Sequence, residues 1–510
     1  MAGLGASPHD VVINGAVDVF NQCVPTTSTT NCLALTNFWR SLSNLTINVM
    51  ASPSLSSCQG GAEFWATSQA APVRRVDVNG TMSLDDYCTT PSYSSGGEIA
   101  DSVFSGGKVV SGSQQQFFVR NSNIDSWSNG VWNQVFSGDV GAPPQSFGQP
   151  GAQPYTTLAS SPVTQEEPLL YTDSSGGYQV FVPSLQHNSA GASWANGPTA
   201  GTSIPIGHFF IAHPSDSASV INAALSRGQN LLLTPGIYSL DQTLDVKHAN
   251  TVVLGLGFPT LVPANGLESM QVADVGGVKL SGVIFDAGTQ NSRVLLKVGT
   301  KASVGRAGTP DLVQDVFFRI GGATPGRATT SLVVNSSYTI LDDVWSWRAD
   351  HGNGVGWTQN VSHTGLVVNG NHVTAYGLFV EHSEKSQVIW NGQGGTVIFF
   401  QNEMPYEVPS QSAWMENPTT DGYPAFRVAS KVTSFQGYGM GSYCYFNQGL
   451  AIFATNAFQA PDKPGVQFHD LLTVFLNKAT TGGIDHVING AGGSATNANP
   501  DVGVDVVSYP

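Results

Sequence analysis

The sequence predicts an all-β protein that consists of two tandem right-handed parallel β-helix domains. Its 510 residues include 58 glycines and 28 prolines, and only 11% are charged. This balance favours short strands and turns over helices. From about residue 250 to about residue 490, short apolar strands recur between Gly, Asn and Asp turns, with no helical periodicity between them. Such a pattern argues against βαβ units and favours a solenoid of stacked coils.

A short repeat in the second half carries one glutamate in each copy. The first copy runs from Asn369 to Glu381 and the second from Asn391 to Glu403, so the two glutamates are 22 residues apart. Equivalent positions of neighbouring coils lie one strand spacing apart, roughly 5 Å. The sequence therefore predicts two stacked carboxylates on one face of the solenoid. Paired carboxylates are the catalytic groups of most glycoside hydrolases.

Asparagine recurs at the turn positions Asn335, Asn369 and Asn391 of these coils. Asparagine tolerates the left-handed backbone conformation, and its amide can bond to a neighbouring coil. We therefore expect these side chains to hydrogen-bond from one coil to the next.

An imperfect internal duplication predicts that the chain has two halves. Residues 3–5 and 255–257 both read Gly-Leu-Gly. In the second half a segment with helical spacing, 216–225, precedes this element, and Ser215 or Asp216 is placed to cap it. The first half has no such segment, so we expect another element to cover its open end or the native chain to be longer.

We predict an N-terminal β-helix domain at 1–140 and a C-terminal β-helix domain at 206–510, the latter with both glutamates. Residues 141–205 are rich in Pro, Gly, Ser, Thr and Gln, which indicates an interdomain linker. Within it, 178–183 alternates like a strand.

Charge and composition limit the partners. The formal net charge of −15 disfavours nucleic acid, because no basic surface neutralises phosphates, whereas a neutral polysaccharide meets no such objection. No apolar run is long enough to span a bilayer, and no signal-peptide pattern opens the chain. We expect a monomer.

The cysteines point to an oxidising compartment or to a set of buried thiols, and the sequence leaves both open. Four of the five lie in the first 90 residues and none has Cys-x-x-Cys spacing, while Cys444 stands apart. Two disulfides in the first domain would leave Cys444 free. We expect no metal or organic cofactor.

Six segments in both halves together resemble a known family. Those of the second half are Trp347-Arg-Ala-Asp350-His351, Phe379-Val-Glu381-His382 and Gln401-Asn-Glu403-Met-Pro405-Tyr406. Those of the first half are Trp65-Ala-Thr-Ser-Gln69-Ala, Ser94-Ser95-Gly96-Gly97 with Asp101, and Gly112-Ser-Gln114-Gln115-Gln116 followed by Arg120-Asn121. In their order and spacing they resemble glycoside hydrolase family 55, whose members are β-1,3-glucanases with two tandem parallel β-helices.

The resemblance implies roles for four residues. Glu403 would be the general acid that protonates the glycosidic oxygen, and Glu381 would hold and deprotonate the attacking water. Gln69 and Ser95 would reach across from the first β-helix to fix that water. Without the resemblance, the glutamates would be solvated edge residues, and Gln69 and Ser95 would satisfy backbone groups between coils.

The resemblance also implies inversion of configuration, which conflicts with simple stacking. Coils about 5 Å apart fit a retaining enzyme, whereas inversion needs roughly 6.5–9.5 Å between the carboxyl groups. We therefore expect the two side chains to splay apart.

Further residues are candidates for substrate binding. Asp350, His351 and His382 would shape the local field or bind sugar hydroxyls, although a structural turn explains Asp350 and His351 equally well. Sugars also pack their C–H faces on aromatic rings, and the candidate rings are those of Trp390, Tyr406 and Trp414. Most large aromatic side chains nevertheless serve a core.

These observations favour a secreted glycoside hydrolase that cleaves β-1,3-glucan or β-1,6-glucan of the fungal-wall or laminarin type, in a cleft between the two β-helices. A polysaccharide lyase on the same architecture is an alternative, with Arg348, Arg427 and Lys431 as the cations for an acidic substrate. A non-catalytic carbohydrate-binding solenoid is another.

Overall fold

The computed structural model describes residues 1–25, 30–112, 115–301 and 305–510. Gln114, which belongs to one of the family-like segments, lies outside these ranges. The chain divides into two compact units, Met1–Ile206 and Gly207–Pro510, and each is a right-handed parallel β-helix. None of the helices in the described ranges is long and apolar enough to cross a membrane.

The N-terminal unit contains two parallel sheets and a disulfide-linked hairpin. The strands of the larger sheet are Val12–Gly15, Leu42–Val49, Val73–Asn79, Glu98–Ala100, Val103–Ser105, Gln116–Arg120, Asn123–Ile124, Asn133–Ser137 and Tyr155–Leu158. The strands of the smaller sheet are Glu63–Phe64, Met82–Ser83, Val109–Val110 and Trp127–Ser128. The hairpin pairs Gln22–Pro25 with Thr30–Leu33, and short 3₁₀ turns occur at Pro8–Asp10 and Gln59–Gly61. Apolar side chains such as Leu45, Val76 and Phe117 fill the space between the sheets.

Two disulfides cross-link the N-terminal unit. Cys23 is bonded to Cys32 and Cys58 to Cys88, while Cys444 is a free, buried thiol of the other unit. The disulfide alternative of the sequence analysis is therefore the one that the structure contains.

Residues 141–205, which the composition predicts to be a linker, are folded within the N-terminal unit. The first strand of this segment extends the larger parallel sheet. The remainder forms two antiparallel sheets, whose strands are Ser161–Thr164 with Gln186–Ser189, and Leu169–Thr172 with Tyr178–Pro183 and Gly201–Pro205. The strand expected at 178–183 is confirmed.

A buried ion pair fastens this segment to the β-helix. Arg120 ends a strand of the larger sheet, and its Nη1 and Nη2 donate to the two carboxylate oxygens of Glu166 at 2.6 and 2.9 Å. A hydrogen bond also attaches the segment to the β-helix: the indole Nε1 of Trp194 donates to the backbone oxygen of Asp101 at 2.7 Å. Proline and glycine content alone does not reveal such buried partners.

The C-terminal unit contains two long sheets. The strands of the first are Phe209–Ala212, Asn230–Leu233, Ile237–Leu240, Val252–Gly255, Thr260–Pro263, Lys279–Asp286, Leu312–Ile320, Ile340–Arg348, Thr374–Glu381, Gly395–Glu403, Phe435–Cys444, Val466–Phe475 and Val504–Tyr509. Those of the second are Leu244–Val246, Met270–Val272, Ser292–Val298, Ala328–Val334, Thr364–Val368, Val388–Trp390, Phe426–Val428, Ile452–Gln459, Gly482–Ile488 and Ala495–Thr496. All neighbouring strands are parallel except the last pair of each sheet. A small hairpin joins Met415–Asn417 to Thr420–Asp421, next to a 3₁₀ turn at Gln411–Ala413.

One α-helix, Ala218–Ser226, follows the first strand of the C-terminal unit and is the only one in the described ranges. Its cap is Ser217, whose hydroxyl accepts a hydrogen bond from the Val220 N–H at 3.4 Å. The sequence predicts the helix correctly and places its cap one or two residues too early.

The asparagine stack predicted from the repeat is present. The amide of Asn391 donates to the side-chain oxygen of Asn369 at 2.9 Å, and the amide of Asn369 donates to that of Asn335 at 2.8 Å. These bonds join successive coils outside the backbone ladder and help to fix their register.

Long strands of the first sheet bend at one residue with positive φ, and the bends are aligned from coil to coil. These residues are Gly282, Asp315, Asp343, Gly377, Phe399, Gly439 and Asp470. Gly and Asp adopt this conformation readily, whereas an aromatic residue does so rarely. Each bend shifts the in–out alternation of the strand, so the phase after the bend decides which side chains face outward.

We expect the Arg120–Glu166 pair to matter for the stability of the N-terminal unit. Arg120→Met leaves the Glu166 carboxylate buried without its partner, which should lower the free energy of unfolding by about 3–5 kcal/mol. The double variant with Glu166→Met should recover most of this loss, because no unpaired charge remains. Urea denaturation checks both values, and a single variant within about 1 kcal/mol of the wild type would contradict the assignment.

Candidate active site

The two glutamates end neighbouring strands of the first sheet of the C-terminal unit. Strand Thr374–Glu381 is parallel to strand Gly395–Glu403, and Phe379 pairs with Gln401, 22 residues further along. The ladder continues where the N–H of His382 donates to the backbone oxygen of Glu403 at 2.8 Å. Glu381 and Glu403 therefore occupy equivalent positions on adjacent coils.

Both glutamates face away from the apolar core. Leu378, Val380 and Phe400 belong to the core cluster, and successive side chains of a strand point to opposite faces. The alternation directs Glu381 and Glu403 outward, where they are 3% and 8% exposed.

Glu381 is anchored toward the coil that precedes it. The indole Nε1 of Trp345 donates to Glu381 Oε2 at 2.8 Å. Trp345 lies on strand Ile340–Arg348, on the side away from Glu403. The neighbouring ring of Trp347 stacks on it at 5.2 Å between centroids. The carboxylate is thus held back from the following coil.

Glu403 is held by groups that follow it in the chain. The Tyr406 hydroxyl donates to Glu403 Oε2. Burial raises the pKa of Tyr406 well above its ordinary value, and the Glu403 charge raises it further. Tyr443 pairs with Glu403 in the next strand, and its pKa is raised for the same two reasons. Both phenols therefore remain protonated.

His382 connects Glu403 with Asp350. Its Nδ1 lies 3.2 Å from the backbone oxygen of Met404, and since a carbonyl only accepts, this nitrogen carries a hydrogen. Its Nε2 lies 3.5 Å from Glu403 Oε2 and 3.9 Å from Asp350 Oδ1. The ring is edge-on to Tyr406 at 4.5 Å. The φ of His382 is +61°, in the left-handed region.

Asp350 and His351 form a partly exposed pair. Asp350 Oδ1 lies 2.9 Å from His351 Nδ1 and accepts from Trp347 Nε1 at 3.2 Å. Burial acts to raise the pKa of Asp350, but His382 and His351 outweigh it and hold that pKa well below the usual range. The hydrogen bond to Asp350 raises the pKa of His351.

Arg348 clamps the loops that follow both glutamates. It is fully buried, and its guanidinium lies 2.6 Å from Glu407 and 3.6 Å from Glu384. It also donates to the backbone oxygen of His382 at 3.2 Å. Burial raises the pKa of Glu384 to about 7, against the effect of Arg348.

Two of the three cations that a lyase would need are engaged elsewhere. Arg348 is committed to Glu407, and Arg427 lies 2.9 Å from Glu416. Within the described ranges, no three His, Cys, Asp or Glu side chains are grouped so as to hold a metal ion.

Gln69 and Ser95 are paired inside the N-terminal unit. The Ser95 hydroxyl donates to Gln69 Oε1 at 2.6 Å, and the Ser95 N–H donates to the Ser68 hydroxyl at 3.0 Å. Both residues are buried. Their predicted role with water stays a prediction.

Two predicted sugar-binding residues are core residues instead. Trp390 is fully buried, stacks on Phe426 and contacts Phe435 edge-to-face, because its strand position faces inward. Trp414 is 1% exposed and donates its Nε1 to the backbone oxygen of Glu384 at 3.0 Å. Tyr406, by contrast, lies at the site.

Sequence reasoning missed Trp345, Tyr443 and the positioning role of Arg348. Trp345 and Tyr443 lie on the strands that flank the two glutamates. The strand alignment would have identified them, had the coil lengths of 34 and 40 residues on either side been known.

Known proteins are similar to this chain in sequence and in architecture. The model of the LAM55 pectate lyase-like domain matches residues 209–403. The whole chain is 47% identical to an exo-β-1,3-glucanase from Streptomyces sp. (strain SirexAA-E / ActE) and covers 80% of that protein. The chain belongs to glycoside hydrolase family 55. As a family 55 member it is a glycoside hydrolase, which sets aside the lyase and the non-catalytic solenoid.

Solved structures support the family 55 assignment. The structure of sacteLam55A from Streptomyces sp. SirexAA-E matches with a TM-score of 0.92 at 46% identity, over all of this chain and 88% of that one. A glutamate-to-alanine variant of sacteLam55A, in complex with glucose, matches with a TM-score of 0.91 at 45% identity and the same coverage.

The Asp350–His351 pair predicts a pH-dependent stability for this family 55 protein. Because the pKa of Asp350 is lowered in the folded protein, Asp350 stabilises the fold above the ordinary aspartate pKa. This stabilisation is lost as the pH falls through the pKa of Asp350 in the folded protein. Because the pKa of His351 is raised in the folded protein, His351 stabilises the fold below the ordinary histidine pKa. This stabilisation is lost as the pH rises through the pKa of His351 in the folded protein. The contribution is therefore complete between about pH 3.9 and pH 6.5.

His351→Asn should lower the free energy of unfolding by roughly 0.2–1 kcal/mol in this window, the range of a solvent-exposed pair. The difference should disappear at alkaline pH. Thermal unfolding across pH checks this expectation, and Asp350→Asn serves as the matched background in which His351→Asn has no such effect. A difference that grows with pH would refute it.

Proposed function

We propose that this family 55 protein is a secreted, exo-acting β-1,3-glucanase that cleaves its substrate with inversion. The observation that carries the proposal is the pair Glu381 and Glu403, which lie on adjacent coils and are held by separate partners. The exo-β-1,3-glucanase activity named for the Streptomyces relative supports the linkage and the mode of attack. A net charge of −15 suits a neutral glucan, and the two disulfides support secretion.

Glu403 is the proposed general acid. It gives its proton to the glycosidic oxygen as the bond from that oxygen to the anomeric carbon breaks. The carboxylate that remains is stabilised by the hydrogen bond from the Tyr406 hydroxyl. Hydrogen bonds to an ionised carboxylate are about twice as strong as neutral ones.

Glu381 is the proposed general base. It accepts a proton from a water molecule whose oxygen forms the new bond to the anomeric carbon, opposite the departing oxygen. The bond from Trp345 draws Glu381 toward the preceding coil. This tilt supports a separation wider than one strand spacing, as a water-mediated inversion requires.

Gln69 and Ser95 are proposed to orient this water, as the family resemblance implies. Their mutual hydrogen bond supports the proposal, because it fixes the Gln69 carboxamide. Asp350 and His351 are proposed to bind sugar hydroxyls.

Variants of the two glutamates test the assignment on laminarin, pustulan and pectin. Glu403→Gln and Glu381→Gln should each lower kcat on laminarin about 10²–10⁴-fold. On 2,4-dinitrophenyl β-glucoside, whose leaving group needs no proton, Glu403→Gln should keep a kcat near that of the wild type. Glu381→Gln should lose kcat on this substrate as well. Glu268→Gln, at an ion pair with Lys297, is the matched control and should keep full activity.

Three results would contradict the proposal. Faster release of glucose from pustulan than from laminarin would indicate a β-1,6-glucanase. Ultraviolet-absorbing unsaturated products from pectin would indicate a lyase. Unchanged laminarin hydrolysis by either glutamate variant would remove that residue from the mechanism.

A further inference from the structure

Tyr445 is the one exposed aromatic side chain, counting Phe, Trp and Tyr, among the described residues of the C-terminal unit. Its exposed fraction is 37%, whereas Trp390 and Trp414 are 0% and 1% exposed. The rings of a solenoid normally fill its core. Tyr445, by contrast, is available for contact with a ligand.

The place of Tyr445 is set by strand order. It follows strand Phe435–Cys444, which pairs with strand Gly395–Glu403 on the side opposite to strand Thr374–Glu381. Along the sheet, the order is thus Glu381, Glu403 and then the coil that ends at Tyr445.

The ring of Tyr445 is connected to the proposed general acid through Tyr406. It lies 5.2 Å from the ring of Tyr406, whose hydroxyl donates to Glu403. The N–H of Asn447 donates to the backbone oxygen of Tyr406 at 3.0 Å. The two neighbours of Tyr445 in sequence, Cys444 and Phe446, are buried. The ring is therefore exposed but held in place.

We propose that Tyr445 is a specificity-determining residue that stacks on the glucosyl unit of the leaving group. The inference rests on the proposed function. A general acid protonates the oxygen of the leaving sugar, so that sugar must lie next to Glu403, while the attacking water lies on the side of Glu381. Tyr445 is on the leaving-group side in this order. The C–H face of a glucosyl ring is apolar and packs on an aromatic ring.

The test compares two substrates that differ only in the leaving group. Laminaritriose places glucosyl units on the leaving side, whereas β-glucosyl fluoride places only a fluoride there. Tyr445→Ala should lower kcat/KM for laminaritriose about tenfold, which corresponds to about 1.4 kcal/mol. Its kcat/KM for β-glucosyl fluoride should match the wild type. Tyr445→Phe, which keeps the ring, should restore laminaritriose hydrolysis to within about twofold.

Tyr178→Ala is the matched control, because Tyr178 is an exposed tyrosine of the N-terminal unit, and it should change neither value. The proposal would be overturned if Tyr445→Ala lowered kcat/KM equally for both substrates, or if it left kcat/KM for laminaritriose unchanged. Thermal unfolding of Tyr445→Ala and Tyr445→Phe verifies that both are folded. A wild type that hydrolyses β-glucosyl fluoride but no β-1,3-linked oligosaccharide would refute the proposed function instead, and the two failures are thus distinct.

Discussion

The backbone ladder between strands Thr374–Glu381 and Gly395–Glu403 is the interaction on which the site depends. Its register brings residues 22 apart in sequence to equivalent positions. Because the side-chain period of a strand is two, a slip by one residue would turn one glutamate into the core. The bonds among Asn335, Asn369 and Asn391 resist such a slip. Register is thus both a folding constraint and the source of the catalytic geometry.

A parallel ladder alone would leave the two carboxylates equally placed, and the surrounding side chains make them different. Trp345 binds Glu381 from the preceding coil, whereas Tyr406 and His382 approach Glu403 from the loops. Arg348 then fixes those loops through Glu407 and the backbone of His382. Opposite roles for acid and base follow from this asymmetry, which resides in the outward face and the turns.

The sequence predicted what depends on local pattern. The repeat identified the solenoid, the pairing of Glu381 with Glu403 and the asparagine stack, because equal offsets become equal positions. It did not predict that Trp390 and Trp414 are core residues, because the burial of a large ring depends on partners distant in sequence, such as the Glu384 backbone oxygen that Trp414 binds. It did not predict the bends of the first sheet either, since nothing local marks Phe399, an aromatic residue with a φ of +71°. The buried pair of Arg120 and Glu166 is 46 residues apart, and no spacing rule relates the two.

The stereochemistry of hydrolysis tests the central claim most directly, because it reports whether the two carboxyl groups leave room for a water. Proton NMR can follow the first minutes of laminaritriose cleavage, before mutarotation. Anchoring Glu381 toward the preceding coil predicts α-glucose as the initial product, the outcome of inversion across roughly 6.5–9.5 Å. Initial β-glucose would mean that Glu381 attacks the sugar itself, with the two carboxyl groups only about 5 Å apart, and would contradict the account.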